Sequence, residues 1–299
     1  MKKQNDNSNI VSFTKEEGLK VLEYWTSERK MNANPLSNEE NLKELNNSLQ
    51  YNETNPVLPS DLKFTDSFLG RPYPANLKRS PYDCGGKFFL TKVTGGTKED
   101  FVASAQFVGH QQMILTAAHA VRERGTGNYY ENLLFIHGYE YTTLGGEKGT
   151  PYLIQRVLTP DEFINTKEAT GEYDYAFCRV NKGFTKYLGF GLNRQGGKGT
   201  PLLSMGYPHN YNGGYLMNRV DGTTGETYEK YFLMENNPMG KGCSGGAIMT
   251  DLILGDTPFK DVVVGINSVV SLDGKKIVRS PIFNQQTMDI FHQVLNSPE

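Results

Sequence analysis

The sequence predicts an all-β protein built from two packed six-stranded antiparallel barrels, with a partly helical N-terminal extension and a C-terminal helix. Three observations carry this expectation. Beyond Gly85-Gly86 the chain breaks into two series of about six short runs, rich in β-branched and aromatic residues and separated by glycine-rich turns. Ahead of them, apolar residues recur at helical spacing. Behind them, Asn284 stands as a cap before a run with the same period. The expected divisions are 1–80 for the extension, 81–185 for the first barrel, and 186–299 for the second barrel with its helix.

In the extension, Leu19, Leu22 and Trp25 fall near one helical stripe, and Ser37-Asn-Glu-Glu ahead of Leu42, Leu45 and Leu49 is a helix-start signal. Tyr51 to Pro81 carries Pro56, Pro59, Pro72, Pro74 and Pro81, which predicts an extended connector lying over the body and open to processing. The first strand series runs through Lys87–Val93, Asp100–Val108, Gln112–Thr116, Asn132–Ile136 and Tyr152–Leu158. A further strand is expected where Asp174 opens the apolar run Tyr175–Val180. The second series takes Pro201–Tyr207, Tyr215–Val220, Lys230–Met234, Gly246–Thr250, Val262–Val270 and Lys276–Arg279. In the closing helix Met288, Phe291 and Leu295 share a face.

Composition narrows the function. The chain has 299 residues, 37% hydrophobic, and a formal charge of -2, so it lacks the concentrated basic stripe of a nucleic-acid binder. Its longest apolar stretches fall well short of the roughly 18 residues that span a bilayer, so no membrane segment is expected. The start, MKKQNDNSNIVSF, turns polar where an export signal needs an apolar run, which favours the cytoplasm. Cys84, Cys178 and Cys243 are odd in number and widely spaced, which argues against a disulfide framework. With no HExxH and no short cysteine or histidine spacings, no metal and no organic cofactor are expected.

Three segments carry chemistry. In Gly240-Lys-Gly-Cys-Ser-Gly-Gly-Ala, Ser244 sits among glycines just before a strand, where a tight turn can converge backbone N–H groups on one point. An acyl-transfer enzyme needs such a point for the negative charge that develops during attack, and Gly242 and Ser244 are the natural donors. A glycine-rich hairpin is the plainer alternative. In Ile114-Leu-Thr-Ala-Ala-His-Ala an apolar strand runs into small residues and His119, which suits a proton-transferring imidazole and equally a structural histidine. Asp174 enters an apolar strand, where a carboxylate needs a partner: either the Nδ1–H of His119 or the turn that it caps.

Thr116-Ala-Ala-His119 and Gly242-Cys-Ser244-Gly-Gly resemble the histidine and serine signatures of the trypsin-like serine peptidases, and Asp174-Tyr-Ala-Phe resembles their aspartate strand. The resemblance is closest to the bacterial V8-like, or glutamyl endopeptidase-like, branch and covers most of residues 85–296. Tyr24-Trp-Thr-Ser-Glu-Arg-Lys-Met31 and Asn34-Pro-Leu resemble a segment that precedes the peptidase domain in some secreted members. It implies a serine endopeptidase of the trypsin-like two-barrel type, with Ser244 as nucleophile, His119 as base and Asp174 as its orienting acid. Gly242 and Ser244 would form the oxyanion hole. Pro238, Met239, Lys241, Asn267, Ser268, Val269 and Val270 would surround a peptide or protein substrate.

The departures are specific. Cys243 stands where trypsin has an aspartate that pairs with a newly cut N-terminus, so that ion-pair switch is absent. Ala120 follows the histidine where many relatives have a bridging cysteine. Asn267 and Met239 take the positions of the histidine and the hydroxyl residue that receive a glutamate side chain in glutamate-specific relatives. Two other functions fit the same scaffold: a catalytically silent peptide- or protein-binding module, and an esterase.

Overall fold

In the computed structural model, which describes residues 10–36, 69–166, 171–270 and 276–297, β-branched and aromatic runs pair into two antiparallel sheets. The extension contributes β1 (Val11–Ser12), α1 (Lys15–Tyr24), α2 (Ser27–Asn32), β2 (Asn34–Pro35) and, after a gap in the description, β3 (Tyr73–Pro74). The first sheet is formed by β4 (Gly85–Thr94), β5 (Thr97–Phe107), β6 (Met113–Thr116), β7 (Glu131–Thr142), β8 (Gly146–Leu158) and, after α3 (Glu162–Asn165), β9 (Ala176–Val180). The second comprises β10 (Pro201–Gly206), β11 (Asn218–Thr227), β12 (Tyr231–Glu235), β13 (Ala247–Leu254), β14 (Thr257–Ile266), β15 (Val269–Val270) and β16 (Ile277–Pro281). The chain then ends in α4 (Gln285–Asn296).

The first sheet closes. Its order β8-β7-β4-β5-β6-β9 returns to β8 through the pairing of Val157 with Cys178 and Leu158 with Phe177, giving one six-stranded barrel. Phe88, Phe89, Phe107, Phe135 and Phe177 in its strands are all 0% exposed, so the barrel wall is covered outside as well as packed inside, with Trp25 against Phe89 and Phe291 against Phe177.

The second sheet does not close, and the expectation of two six-stranded barrels is corrected to one barrel beside an open sheet. Its order runs β14-β13-β10-β11-β12-β16-β15 with no ladder from β14 back to β16. The physical reason lies at Ile266–Val269. There the chain spends its polar groups on side chains and neighbouring turns: the Ile266 N–H donates to Ser280 Oγ at 2.9 Å, and the Asn267 N–H donates to the Gly246 carbonyl at 2.9 Å. The contact between the β14 and β16 edges therefore runs through the Ser280 side chain, and the N–H of Ile266 is spent there and not in a strand-to-strand ladder.

The extension is a strap on the barrel. Thr14 caps α1 in a capping box with Glu17, and Thr26 restarts the chain as α2. The buried stripe of α1 is Gly18, Val21 and Trp25, not the expected Leu19 and Leu22, which are 49% and 39% exposed. Gly18 sets that face, because it lies directly on Leu153 and admits the helix close to β8. Trp25 is 3% exposed, stacks near Phe89 and donates its indole N–H to the Asn132 carbonyl at 2.7 Å. The helix signal at Ser37 and most of the proline-rich connector lie outside the described residues. At the other end Asn284 caps α4 as expected, accepting from the Gln286 N–H at 2.9 Å, while the buried face centres on Ile290, Phe291 and Val294. Cys84, Cys178 and Cys243 are buried free thiols.

Candidate active site

Strand β6 is wholly buried, and the alanines at 117, 118 and 120 let the chain turn tightly against the barrel, so His119 is carried on a single 3-10 turn. Facing it, Tyr173 adopts a left-handed backbone (φ 55) just before Asp174. A bulky residue there costs about 1–3 kcal/mol. The turn it makes delivers a fully buried carboxylate at the mouth of β9. Asp174 Oδ1 accepts the His119 backbone N–H at 2.9 Å, and Oδ2 lies 2.7 Å from His119 Nδ1 and also accepts from Ser268 Oγ.

Burial alone pushes the Asp174 carboxyl up, but the charge and hydrogen bond of His119, the Arg124 charge and the Ser268 hydroxyl outweigh it and hold the group at about 2. Asp174 is therefore an acceptor at neutral pH, the proton between the two groups sits on Nδ1, and Nε2 is the ring nitrogen that the carboxylate does not touch. That Nε2 is buried with no hydrogen-bond partner. Ser244 Oγ does not engage it in this state.

Ser244 is nevertheless held close. Gly245 has φ +84, and a Cβ there would run into Thr116 Oγ1 and the Ser104 carbonyl, so only glycine lets the turn lie against the chain entering His119. The Ser104 N–H donates to the Ser244 carbonyl at 2.8 Å, and Ser104 Oγ donates to the Gly242 carbonyl at 2.9 Å. Serine and histidine thus hang from the paired strands β5 and β6. Cys243, beside the serine, is pushed up to about 12 by burial and is a thiol, not a thiolate.

Gly242 has φ +89 and its N–H, an expected oxyanion donor, gives its hydrogen bond to the Leu36 carbonyl at 2.9 Å. Leu36 follows β2, which runs parallel to β5, and its N–H donates to the Val102 carbonyl at 2.9 Å. The end of the strap therefore lies on the glycine-rich turn that carries Ser244.

The residues expected around a substrate divide. Ser268 joins Asp174, and Asn267 and Met239 are buried beneath the turn. Lys241 is exposed and its carbonyl accepts the His209 N–H at 2.7 Å. Pro238 is half-buried, while Val269 and Val270 pair with Arg279 and Val278 at the edge of the open sheet. Sequence reasoning missed Ser104, Leu36 and Asn237. Only Ser104 left a signal, a hydroxyl between two alanines in a strand read as buried.

No family model matches the chain, and no curated protein matches it. Solved structures do. The thermostable serine protease AL20 from an extremophilic microorganism superposes with a TM-score of 0.58 at 22% identity, covering 71% of this chain and 97% of that one. The chain shares the fold of the trypsin-like serine proteases. The protease Anisep from Arthrobacter nicotinovorans gives a TM-score of 0.56 at 20% identity over 72% of this chain and 96% of its own. A Glu endopeptidase in complex with MPD gives 0.58 at 16% identity over 76% and 97%. This serine-protease fold carries the hydrogen-bonded network of His119, Asp174 and Ser268 described above.

Proposed function

We propose that the chain is a serine endopeptidase of the V8-like kind, hydrolysing peptide bonds through an acyl-enzyme intermediate. One observation carries the reading: a buried, ionised Asp174 grips the backbone and Nδ1 of His119 and leaves Nε2 unpartnered, while the glycine-flanked turn of Ser244 lies against Thr116 and Ala117 on the chain entering His119. In this mechanism Ser244 Oγ attacks the carbonyl carbon, His119 Nε2 takes its proton, and Asp174 stabilises the resulting imidazolium. The N–H groups of Ser244 and Gly242 receive the developing oxyanion, the latter after exchanging the Leu36 carbonyl for it. His119 then protonates the leaving amine, and water attacks the acyl-enzyme with the same base. The neutral Cys243 supports serine over cysteine as the nucleophile.

The occupied Gly242 N–H favours a second reading, a peptide-binding module that does not turn over. A fluorophosphonate probe separates the two. The peptidase reading expects covalent mass on Ser244 and cleavage of a peptide library, both abolished by Ser244→Ala and unaffected by a thiol alkylator. A folded protein that takes up no probe and cuts no peptide would be the silent module.

A further inference from the structure

On the side away from Ser104, the turn that presents Ser244 is held by one buried residue. Asn267 is 1% exposed and meets the turn with its backbone, donating to the Gly246 carbonyl at 2.9 Å and accepting the Gly245 N–H at 2.8 Å. Its side chain meets it again, with Nδ2 donating to the Cys243 carbonyl at 3.4 Å and to the Met205 carbonyl at 3.2 Å. Oδ1 accepts from Ser204 Oγ at 2.9 Å and from Asn237 Nδ2 at 3.1 Å. Asn237 in turn accepts the Met239 N–H at 3.1 Å. A primary amide has two N–H groups and two acceptor directions, and in Asn267 all four are used.

A saturated amide has nothing left to offer a substrate side chain. Its bonds instead join three carriers of the site: β10 through Ser204 and Met205, the segment leading to Met239 through Asn237, and the residue before the nucleophile through Cys243. Cys243 brings no carboxylate, so an ion pair cannot fix the turn from that position. We propose that Asn267 is a positioning residue, and that with Asn237 it forms a neutral amide strut holding the Cys243–Gly246 turn in the geometry that aligns the Ser244 hydroxyl and N–H. The inference rests on Ser244 being the nucleophile.

A strut acts on the chemical step and not on substrate capture. Asn267→Ala should lower kcat for a small ester by about 10- to 100-fold, less than loss of a whole oxyanion donor, with KM within about twofold of wild type. Asn267→Asp sharpens the test. Its ionised carboxylate can accept from Ser204 and Asn237 but would face the Cys243 and Met205 carbonyls with no hydrogen, whereas the protonated acid restores one donor. Its kcat should therefore fall on an alkaline limb that wild type lacks. If Asn267→Ala fails to fold, Asn237→Ala, which removes one of the four bonds, should lower kcat by about three- to tenfold in the same direction. Fluorophosphonate labelling of wild-type Ser244 is the control: no labelling overturns the nucleophile and leaves the strut without a function. With wild type labelled, a folded Asn267→Ala of unchanged kcat overturns the strut alone, and a raised KM at constant kcat makes Asn267 a substrate contact instead.

Discussion

Leu36→Ala is expected to make Ser244 react faster while making the protein melt earlier. In the folded chain Gly242 N–H bonds the Leu36 carbonyl, Leu36 N–H bonds the Val102 carbonyl, and the Leu36 side chain is 1% exposed. Freeing the Gly242 N–H for an oxyanion breaks two backbone hydrogen bonds, about 0.5–1.5 kcal/mol each. It also brings a leucine into water, about 1.5–3 kcal/mol. The sum, about 2.5–6 kcal/mol, leaves the released form at roughly one molecule in 10² to 10⁴, since each 1.4 kcal/mol is about tenfold. Truncating the side chain removes about 2 kcal/mol from the closed form and should raise the released population by roughly 10- to 30-fold. The assay is the second-order rate of fluorophosphonate labelling alongside thermal melting. Val294→Ala serves as the control, because Val294 is 0% exposed on α4 and should lower the melting temperature without speeding labelling. A folded Leu36→Ala that labels no faster than wild type, or a Val294→Ala that gains as much, would refute the competition between Leu36 and the oxyanion.

Asp174→Asn should fold yet lose about 10³ to 10⁴ in kcat, because an amide no longer holds the proton on His119 Nδ1, and wild-type kinetics in the folded variant would remove Asp174 from the site. The same carboxyl, held at about 2 against its ordinary 3.8, contributes stability that is present above pH 4 and is lost as pH falls toward 2, a dependence that urea unfolding should show in wild type and not in Asp174→Asn. Lys87 gives the same direction from a different cause: burial pushes its ammonium down to about 8, although Nζ donates to the Gly214 carbonyl at 2.9 Å and faces Tyr139 and Phe89. The unfolded chain binds the extra proton between pH 8 and 10.5, so wild type should gain about 3 kcal/mol over Lys87→Met across that window, and a flat difference in urea unfolding would contradict it.

Much of the fold was legible because strand content is local. Runs such as Lys87–Val93 and Pro201–Tyr207 carry their own turn signals, and Asn284 declares its helix with one side chain. The pairing of His119 with Asp174 was legible too, since a carboxylate at the head of an apolar strand needs a partner and a histidine after alanines offers one. What escaped was set by distance in the chain. Leu19 and Leu22 fit a helical stripe as well as Val21 does, but the buried face was decided by Gly18 meeting Leu153, over a hundred residues away. Asn237 and Leu36 look like loop residues in the sequence. Their roles exist only because β14, the nucleophile turn and the strap converge.

The failure of the second sheet to close and the construction of the site are one feature. Had β14 continued as a regular strand, Asn267 and Ser268 would alternate across its faces and give their backbone groups to a neighbour. Instead the ladder stops at Ile266, whose N–H turns to Ser280 Oγ, and the next two residues diverge. Asn267 turns its amide under the nucleophile turn, while Ser268 turns its hydroxyl to Asp174, its N–H bonding the Arg279 carbonyl at 3.1 Å. Two polar side chains leave adjacent positions for two different parts of the site, and the backbone past the end of the ladder lets each reach its partner. The open edge is thus the geometric condition for one short segment to support both the serine turn and the aspartate that orients the histidine.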